Sequence, residues 1–433
     1  MRAATSDPAR KMGEPVSKKQ KTGPVKAVIL VGGASKGTRF RPLSMDCPKP
    51  LFPVAGFPMV EHHIQACATL DNMAEIILLG FYEEELFTPF IEGCTERYGI
   101  RIRYLREIVS LGSAGGLNRY RDDILAGDPS AVVILHCDIA CSFPLAKMLA
   151  FHAAKSARVT VLGKELSLEE AHKYGEMAVN PESDEMIHYA AKPQSNISPV
   201  INCGVYVFHP DVFDKLQTVG GSRSSAMGSD QEEGIVRLEQ DLLMPMAGQQ
   251  FIYVYKMEEF WFQIKVPVHA LIATKLYLEY FAKAKPELLS KNLAATRGTL
   301  ARAASQSSFD VGTSAAKLDI QEPCLIHPSA NIQPGARVGP NVTIAAGVMI
   351  GAGARLLDCI ILEDVIIREH AFVKNSIIGW NSQIGAWTRV QGSETSPSIF
   401  SAGVTANAEV VVDSCVVLAN KSISSSCRGE IIL

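Results

Sequence analysis

The chain has no run of about 18 consecutive apolar residues, so no membrane-spanning helix is expected. It opens without the apolar stretch of a secretory leader, and a cytoplasmic location is expected. It has no excess of positive charge. With 42 Lys and Arg against 45 Asp and Glu, the formal net charge is −3, so no nucleic-acid partner is expected. There are 10 cysteines but no C-x-x-C pair. Cys137, Cys203 and Cys359 sit in apolar runs, where reduced, buried thiols fit better than disulfides. Cys137 and Cys141 beside His136 match no standard zinc spacing. At 433 residues, with 47% hydrophobic and 20% charged residues, the composition suits two or three well-cored globular domains.

The most informative stretch is residues 25–50, VKAVILVGGASKGTRFRPLSMDCPKP. Residues 27–31 (AVILV) form a short continuous apolar run, as a strand buried on both faces requires. Gly32 and Gly33 end it and allow close approach of a ligand to the backbone. Lys36, Arg39, Arg41 and Lys49 follow, in a loop stiffened by Pro42, Pro48 and Pro50. A strand, a glycine turn and clustered cations suit an anion. Tight packing with a solvated basic face is the plainer alternative. The spacing is neither G-x-G-x-x-G nor G-x-x-x-x-G-K-[ST], which excludes the dinucleotide-binding and P-loop readings of this stretch.

Residues 1–24 have too few aliphatics for a core and are expected to be disordered. Their SKKQK run has the composition of a nuclear import signal or of a solvated basic tail. From residue 25, strand-like runs at 27–31, 75–81, 102–105 and 131–135 alternate with helical patterns at 59–70 and 84–98. This alternation predicts a doubly wound α/β domain with a parallel sheet, spanning 25–283. His62 and His63, within the first helical pattern, read as surface or internally satisfied side chains. A second glycine turn, LGSAGGL at 111–117, leads into a helix. Asp138 follows the strand at 131–135. With the two glycine turns it falls at the carboxyl ends of strands, where α/β sheets bind ligands. Asp138 then reads as a Mg²⁺ ligand or as a helix cap. Further strands are expected at 159–163, 176–179, 187–190 and 200–208, the last holding Asn202, which needs a partner. The Gly/Ser-rich segment 217–233 reads as a mobile loop, and 284–318 as a linker.

Residues 319–433 follow another rule. Aliphatics recur every six residues at Ile326, Ile332, Val338, Ile344, Ile350 and Leu356. After one-residue slips the pattern resumes at Ile361 and again at Ile378. This is the hexapeptide period of a left-handed parallel β-helix. Residues 391–403 break the period and are expected to protrude. Such solenoids form oligomer contacts or act as acyltransferases; the β-helix holds only His327 and His370 as candidates for a catalytic histidine.

The opening stretch resembles the sugar-nucleotide pyrophosphorylase signature G-G-x-G-T-R-L-x-P-L-T-x-x-x-P-K-P. With GFYEEE, LGSAGGL, INCGVYVF, FWFQIK, SIIGW and the terminal IIL, the chain is similar to the mannose-1-phosphate guanylyltransferases, nearest their alpha type, from Val25 to Leu433. The resemblance implies a Rossmann-like nucleotidyltransferase domain, glycosyltransferase-A-like, followed by the β-helix. It implies binding of GDP-mannose, or of GTP and mannose 1-phosphate, with Mg²⁺ if the protein is active and no cofactor otherwise. It also implies a catalytic beta-type partner subunit in a homo- or hetero-oligomer. By position, Arg39 and Lys49 would meet phosphates, and Gly32, Gly33, Gly112 and Gly115 would frame the nucleotide. Gly175, Lys192 and Asn202 would line the sugar phosphate, and Asp138 would hold the metal.

Three departures from the catalytic pattern stand out. Ala34, Ser35 and Lys36 occupy a place where catalytic members have one residue. Gln263 stands where the second metal aspartate is expected, and Ala191 precedes Lys192 where a glutamate is expected. A shift near 1 Å in such a loop costs on the order of 100-fold in rate, and a neutral amide is a poor Mg²⁺ ligand. The expectation is a regulatory subunit that binds guanine nucleotide without efficient turnover. An active guanylyltransferase is the alternative. A second alternative is a non-enzymatic interaction subunit like the gamma and epsilon subunits of the translation exchange factor.

Overall fold

The computed structural model describes residues 23–33, 37–109, 111–191, 196–226, 235–289 and 319–433. Val25–Gly32 occupies the centre of the first sheet, buried along most of its length. It pairs in parallel with Met73–Gly80 on one side and with Ala131–His136 on the other. Arg101–Arg106 extends the parallel part beyond Met73–Gly80. The chain order therefore reverses about the central strand, which opens a crevice at its carboxyl end.

Beyond Ala131–His136 the sheet becomes mixed, with Ile252–Met257 still pairing in parallel with Val159–Glu165. Val200–Phe208 runs antiparallel to Ala131–His136, to Val159–Glu165 and to Glu176–Val179. The expected all-parallel sheet is thus a mixed one. The segment read as a mobile loop from residue 217 is also different, since the helix Val212–Ala226 runs through its first half. Residues 227–234 lie outside the described set, as do the basic tail through residue 22 and most of the expected linker. The described part of that linker is ordered: Pro267–Ala284 ends as a helix, and Leu289 packs in a buried apolar cluster.

From Asp319 onward every named strand pair is parallel, and the strands fall on three faces. Asn331 pairs with Met349, 18 residues on, and Met349 with Ile366, 17 residues on. Three six-residue faces make one coil, and each face turns one aliphatic inward. Val338, Ile344, Ile350, Leu356 and Ile361 stack in one buried core. At the sequence slips, a single residue in the left-handed region makes the corner, so two faces join into one continuous strand. Asp358 (φ 48°) does this within Arg355–Ile361, and Asn375 (φ 44°) within Phe372–Ile378. The expected protrusion at 391–403 is smaller than its broken period implied. Gln391 ends one strand and Ser398–Phe400 forms the next, paired with Ser376–Ile378.

The two domains share an apolar cluster. Phe40, Phe52 and Val54 pack with Ala270 and Leu278 of the long helix and with Ile360, Leu362 and Ile377 of the β-helix. Phe52 meets Trp380 edge to face at 5.9 Å between ring centres.

Candidate nucleotide-sugar site

The carboxyl ends of Val25–Gly32, Met73–Gly80 and Ala131–His136 surround a cavity of about 270 Å³. Gly32, Gly33, Arg39, Lys49, Gly112 and Asp138 all face it. Gly33 and Gly37 are tied by a 3.1 Å backbone hydrogen bond, which closes the base of the loop between them. The expanded residues Ala34–Lys36 lie outside the described set. Lys49 sits in the short helix Lys49–Leu51 behind Pro48, its ammonium 5.9 Å from the Phe40 ring centre.

Gly112 has a packing role as well as a place in the cavity wall. Its φ is 84°, a region costly to any residue with a Cβ, and an added Cβ would strike the Val236 carbonyl. Around it, Val236 N–H donates to the Leu111 carbonyl at 2.7 Å, and Ala114 N–H donates to the Val236 carbonyl at 2.9 Å. The second glycine turn is therefore clipped to the segment leading into Leu238–Leu243. Gly115, expected to frame the nucleotide, instead opens the buried helix Gly115–Arg119, and it is Gly116 that faces the cavity.

A second cavity, about 410 Å³, adjoins the first and shares Arg39, Ser113 and His136 with it. Gly175 and Asn202 line it, as the sequence suggested; Lys192 lies outside the described residues. Asn202 is placed by its own strand. The pairing of Val200–Phe208 breaks register between Asn202 and Tyr206, where Gly204 has φ 74°. There the Asn202 side chain accepts from Gly204 N–H at 2.9 Å and donates to the Tyr206 hydroxyl at 2.9 Å. Sequence reasoning missed Lys173, Tyr174, Arg237, Glu239 and Lys265, which also line this cavity. Their signal was weak, because they come from turns and from a helix that follows a low-complexity stretch. Arg39 and Lys173 have no carboxylate partner among the described residues. Cations held at a cavity without local neutralisation favour an anionic ligand.

Asp138 and Gln263 meet because Ile139–Cys141 pairs antiparallel with Trp261–Gln263. Ile264 N–H donates to the Asp138 carbonyl at 2.8 Å, and the Trp261 indole N–H donates to the Cys203 carbonyl at 2.9 Å. The Gln263 amide then donates to Asp138 Oδ2 at 3.3 Å, and Lys49 Nζ stands 3.7 Å from the same oxygen.

Residues 26–261 match the family described as nucleotidyl transferase, and residues 320–432 the family described as GMPPB C-terminal domain. Over 435 residues the chain is 41% identical to the mannose-1-phosphate guanylyltransferase regulatory subunit alpha of Dictyostelium discoideum, covering 95% of this chain and 100% of that one. The human protein of the same name is 40% identical over 443 residues, covering 94% and 100%. The alpha-A subunit of Danio rerio is 39% identical over 445 residues, with the same coverage. The chain belongs to the mannose-1-phosphate guanylyltransferase regulatory alpha subunits.

In this alpha-type chain the donor set around Asp138 does not fit a two-carboxylate Mg²⁺ site. One oxygen of Asp138 already faces an amide N–H and an ammonium. Among the described residues, no three His, Cys, Asp or Glu side chains group closely enough to hold a metal ion. All 10 cysteines are free thiols. Burial pushes the Cys137 thiol well above its usual range and that of Cys141 up to about 12, so both are protonated at neutral pH.

His62 and His63 are internal and structural. His62 Nε2 contacts the Val54 carbonyl at 2.8 Å, and its ring stacks on Tyr277 at 4.0 Å. His63 reaches the Met59 carbonyl at 2.9 Å and the His136 carbonyl at 3.1 Å, bracing the strand end just before Asp138. Burial holds the two rings neutral, down at about 3 and about 4. A neutral ring has one N–H, so His63 can donate to only one of its two carbonyls at a time. No helix among the described residues is long and apolar enough to cross a membrane.

Proposed function

We propose that this chain binds GDP-mannose, or a guanine nucleotide, in the paired cavities and acts as the regulatory member of an assembly with a catalytic beta-type subunit. The observation that carries the reading is the Asp138–Gln263 contact. In-line attack of a sugar phosphate on a nucleotide α-phosphorus needs its developing charge compensated by metal and cations. Here the cations remain, in Arg39, Lys49, Lys173 and Lys265, while a neutral amide bonds the Asp138 carboxylate from the place expected of a second metal ligand. Such a site retains recognition of phosphates and loses much of the means to activate them. The relatives named above are regulatory subunits, which supports the same conclusion.

Regulation requires that ligand binding favour one state of the assembly over another. The coupling typically amounts to about 1–3 kcal/mol, or roughly 5- to 150-fold in affinity. Two measurements on the purified chain test the proposal together. Calorimetric titration with GDP-mannose is expected to show saturable binding. Pyrophosphate release from GTP and mannose 1-phosphate with Mg²⁺ is expected to stay at background. Robust turnover by the chain alone would return the protein to the catalytic class. No binding at millimolar GDP-mannose would leave a pure interaction subunit.

A further inference from the structure

Ala191 removes a carboxylate from the sugar side of the site, yet the cavity that Ala191 lines is not without one. Glu239, the second residue of the helix Leu238–Leu243, lines the same cavity together with Tyr189, Asn202 and Tyr206. The Glu239 side chain is about a quarter exposed. Its carboxylate is only loosely held: the Ser113 hydroxyl donates to Oε2 at 3.4 Å, and His136 Nε2 stands 3.9 Å from Oε1. His136 Nε2 is itself buried and lacks a hydrogen-bond partner. A carboxylate and an imidazole nitrogen that face one cavity with so little of their hydrogen-bonding capacity used are complementary to a ligand with its own hydroxyls.

The surroundings define the ligand end concerned. Arg39 and Lys49 line the first cavity, and Arg39, Lys173 and Lys265 bring cations to the second as well, where an anionic group of the ligand can sit beside its hydroxyls. The Asn202 amide, the Tyr206 and Tyr189 hydroxyls and Glu239 offer both donors and acceptors beyond that point. A phosphate would find Glu239 repulsive. A polyol would find in it a charged acceptor for two neighbouring hydroxyls, the stronger class of hydrogen bond.

We infer that Glu239 is the sugar-specificity residue of this chain, accepting hydroxyls of the hexose of a bound nucleotide sugar in the role left open by Ala191. The inference rests on the nucleotide-sugar reading above and narrows it to one side chain. It also gives Ser113 and His136 a place, holding the carboxylate between the two cavities.

The test compares GDP-mannose with GDP on the full chain by calorimetry. Both are expected to bind wild type, GDP-mannose more tightly. Glu239→Gln is nearly isosteric and keeps an acceptor for Ser113. It is expected to weaken GDP-mannose about 10-fold or more while leaving GDP within about twofold, since hydrogen bonds to a charged group are worth more than those to a neutral one. Ala191→Glu in the Glu239→Gln background is expected to recover a large part of the lost preference. Equal loss for both ligands would mean Glu239 only braces the Ser113 turn, and an unchanged GDP-mannose affinity would remove it from the sugar site. Either result overturns the inference while leaving the nucleotide reading intact. Failure of wild type to bind either ligand would overturn both.

Discussion

Three buried histidines tie stability to pH. His62, His63 and His152 are pushed down by burial to about 3, 4 and 4, from an ordinary value of 6.5. The unfolded chain binds these protons more readily than the folded one, so folding loses stability as pH falls below about 6.5 and keeps losing it towards 4. Each fully uncoupled ring contributes about 1.4 kcal/mol per pH unit in that window. Denaturant melts at pH 7.5, 6 and 5 are expected to show a progressive fall, and His152→Gln is expected to flatten it. A stability independent of pH between 7.5 and 5 would contradict the buried, neutral assignment. Two further side chains decide the site. Gly112→Ala faces both a positive φ and the Val236 carbonyl, and is expected to cost about 1–3 kcal/mol and to unseat the 111–113 turn. GDP-mannose affinity and the melting temperature should fall together. Gln263→Asp places a second carboxylate beside Asp138. It is expected to make GDP-mannose binding sensitive to Mg²⁺ without producing turnover, which calorimetry with and without EDTA and a pyrophosphate assay would check.

The elements follow two periods, and where each rule fails the cause is visible. The buried runs AVILV at 27–31 and IILL at 76–79 read correctly as the parallel centre because runs apolar at every position fit a sheet covered on both faces. The segment at 217–226 read as a loop because its glycines and serines have poor helix propensity. It is helical nonetheless, continuing from Val212 and Phe213, which are fully buried against the sheet. In the β-helix, the slips in the hexapeptide count mark corners where one left-handed residue replaces a turn. Asn375 is such a corner, and its amide also donates to the Gly392 carbonyl at 3.0 Å. Asn375→Val is expected to cost about 1–2 kcal/mol from the β-branched side chain in that region, plus the lost bond. Asn375→Gly is expected to be nearly neutral. Equal thermal stability of the two variants would show that backbone strain at the corner is unimportant.

At the scale of the molecule, the apolar cluster between the domains links the site to the β-helix. Phe40 and Phe52 belong to that cluster, and Arg39 and Lys49 of the first cavity are close to them in the chain. Trp380 reaches across from the β-helix to Phe52. Trp380 is only half-buried, so Trp380→Ala is expected to cost about 1–3 kcal/mol at the junction, below the range for fully buried aromatics. In calorimetric scans it should separate one cooperative transition into two, while the circular dichroism spectrum is retained. A single unshifted transition would show that the domains are thermodynamically independent of this contact.

Much of this protein was legible in one dimension, because the properties concerned are local or periodic. Apolar runs capped by glycine located the parallel strands and, with them, the crevice that holds Gly32, Gly33, Arg39, Lys49 and Asp138. A six-residue period specified the β-helix, since each coil repeats the same inward contact. Gln263 and Ala191 were visible as departures from a motif, but the motif does not say what replaces the missing groups. That depended on pairing between distant strands, which turns the Gln263 amide onto Asp138, and on the docking of residues 236–239 against the second glycine turn, which brings Glu239 into the cavity lined by Ala191. Long-range pairing and packing have no period and leave no spacing in the chain, so the tertiary structure alone decided them.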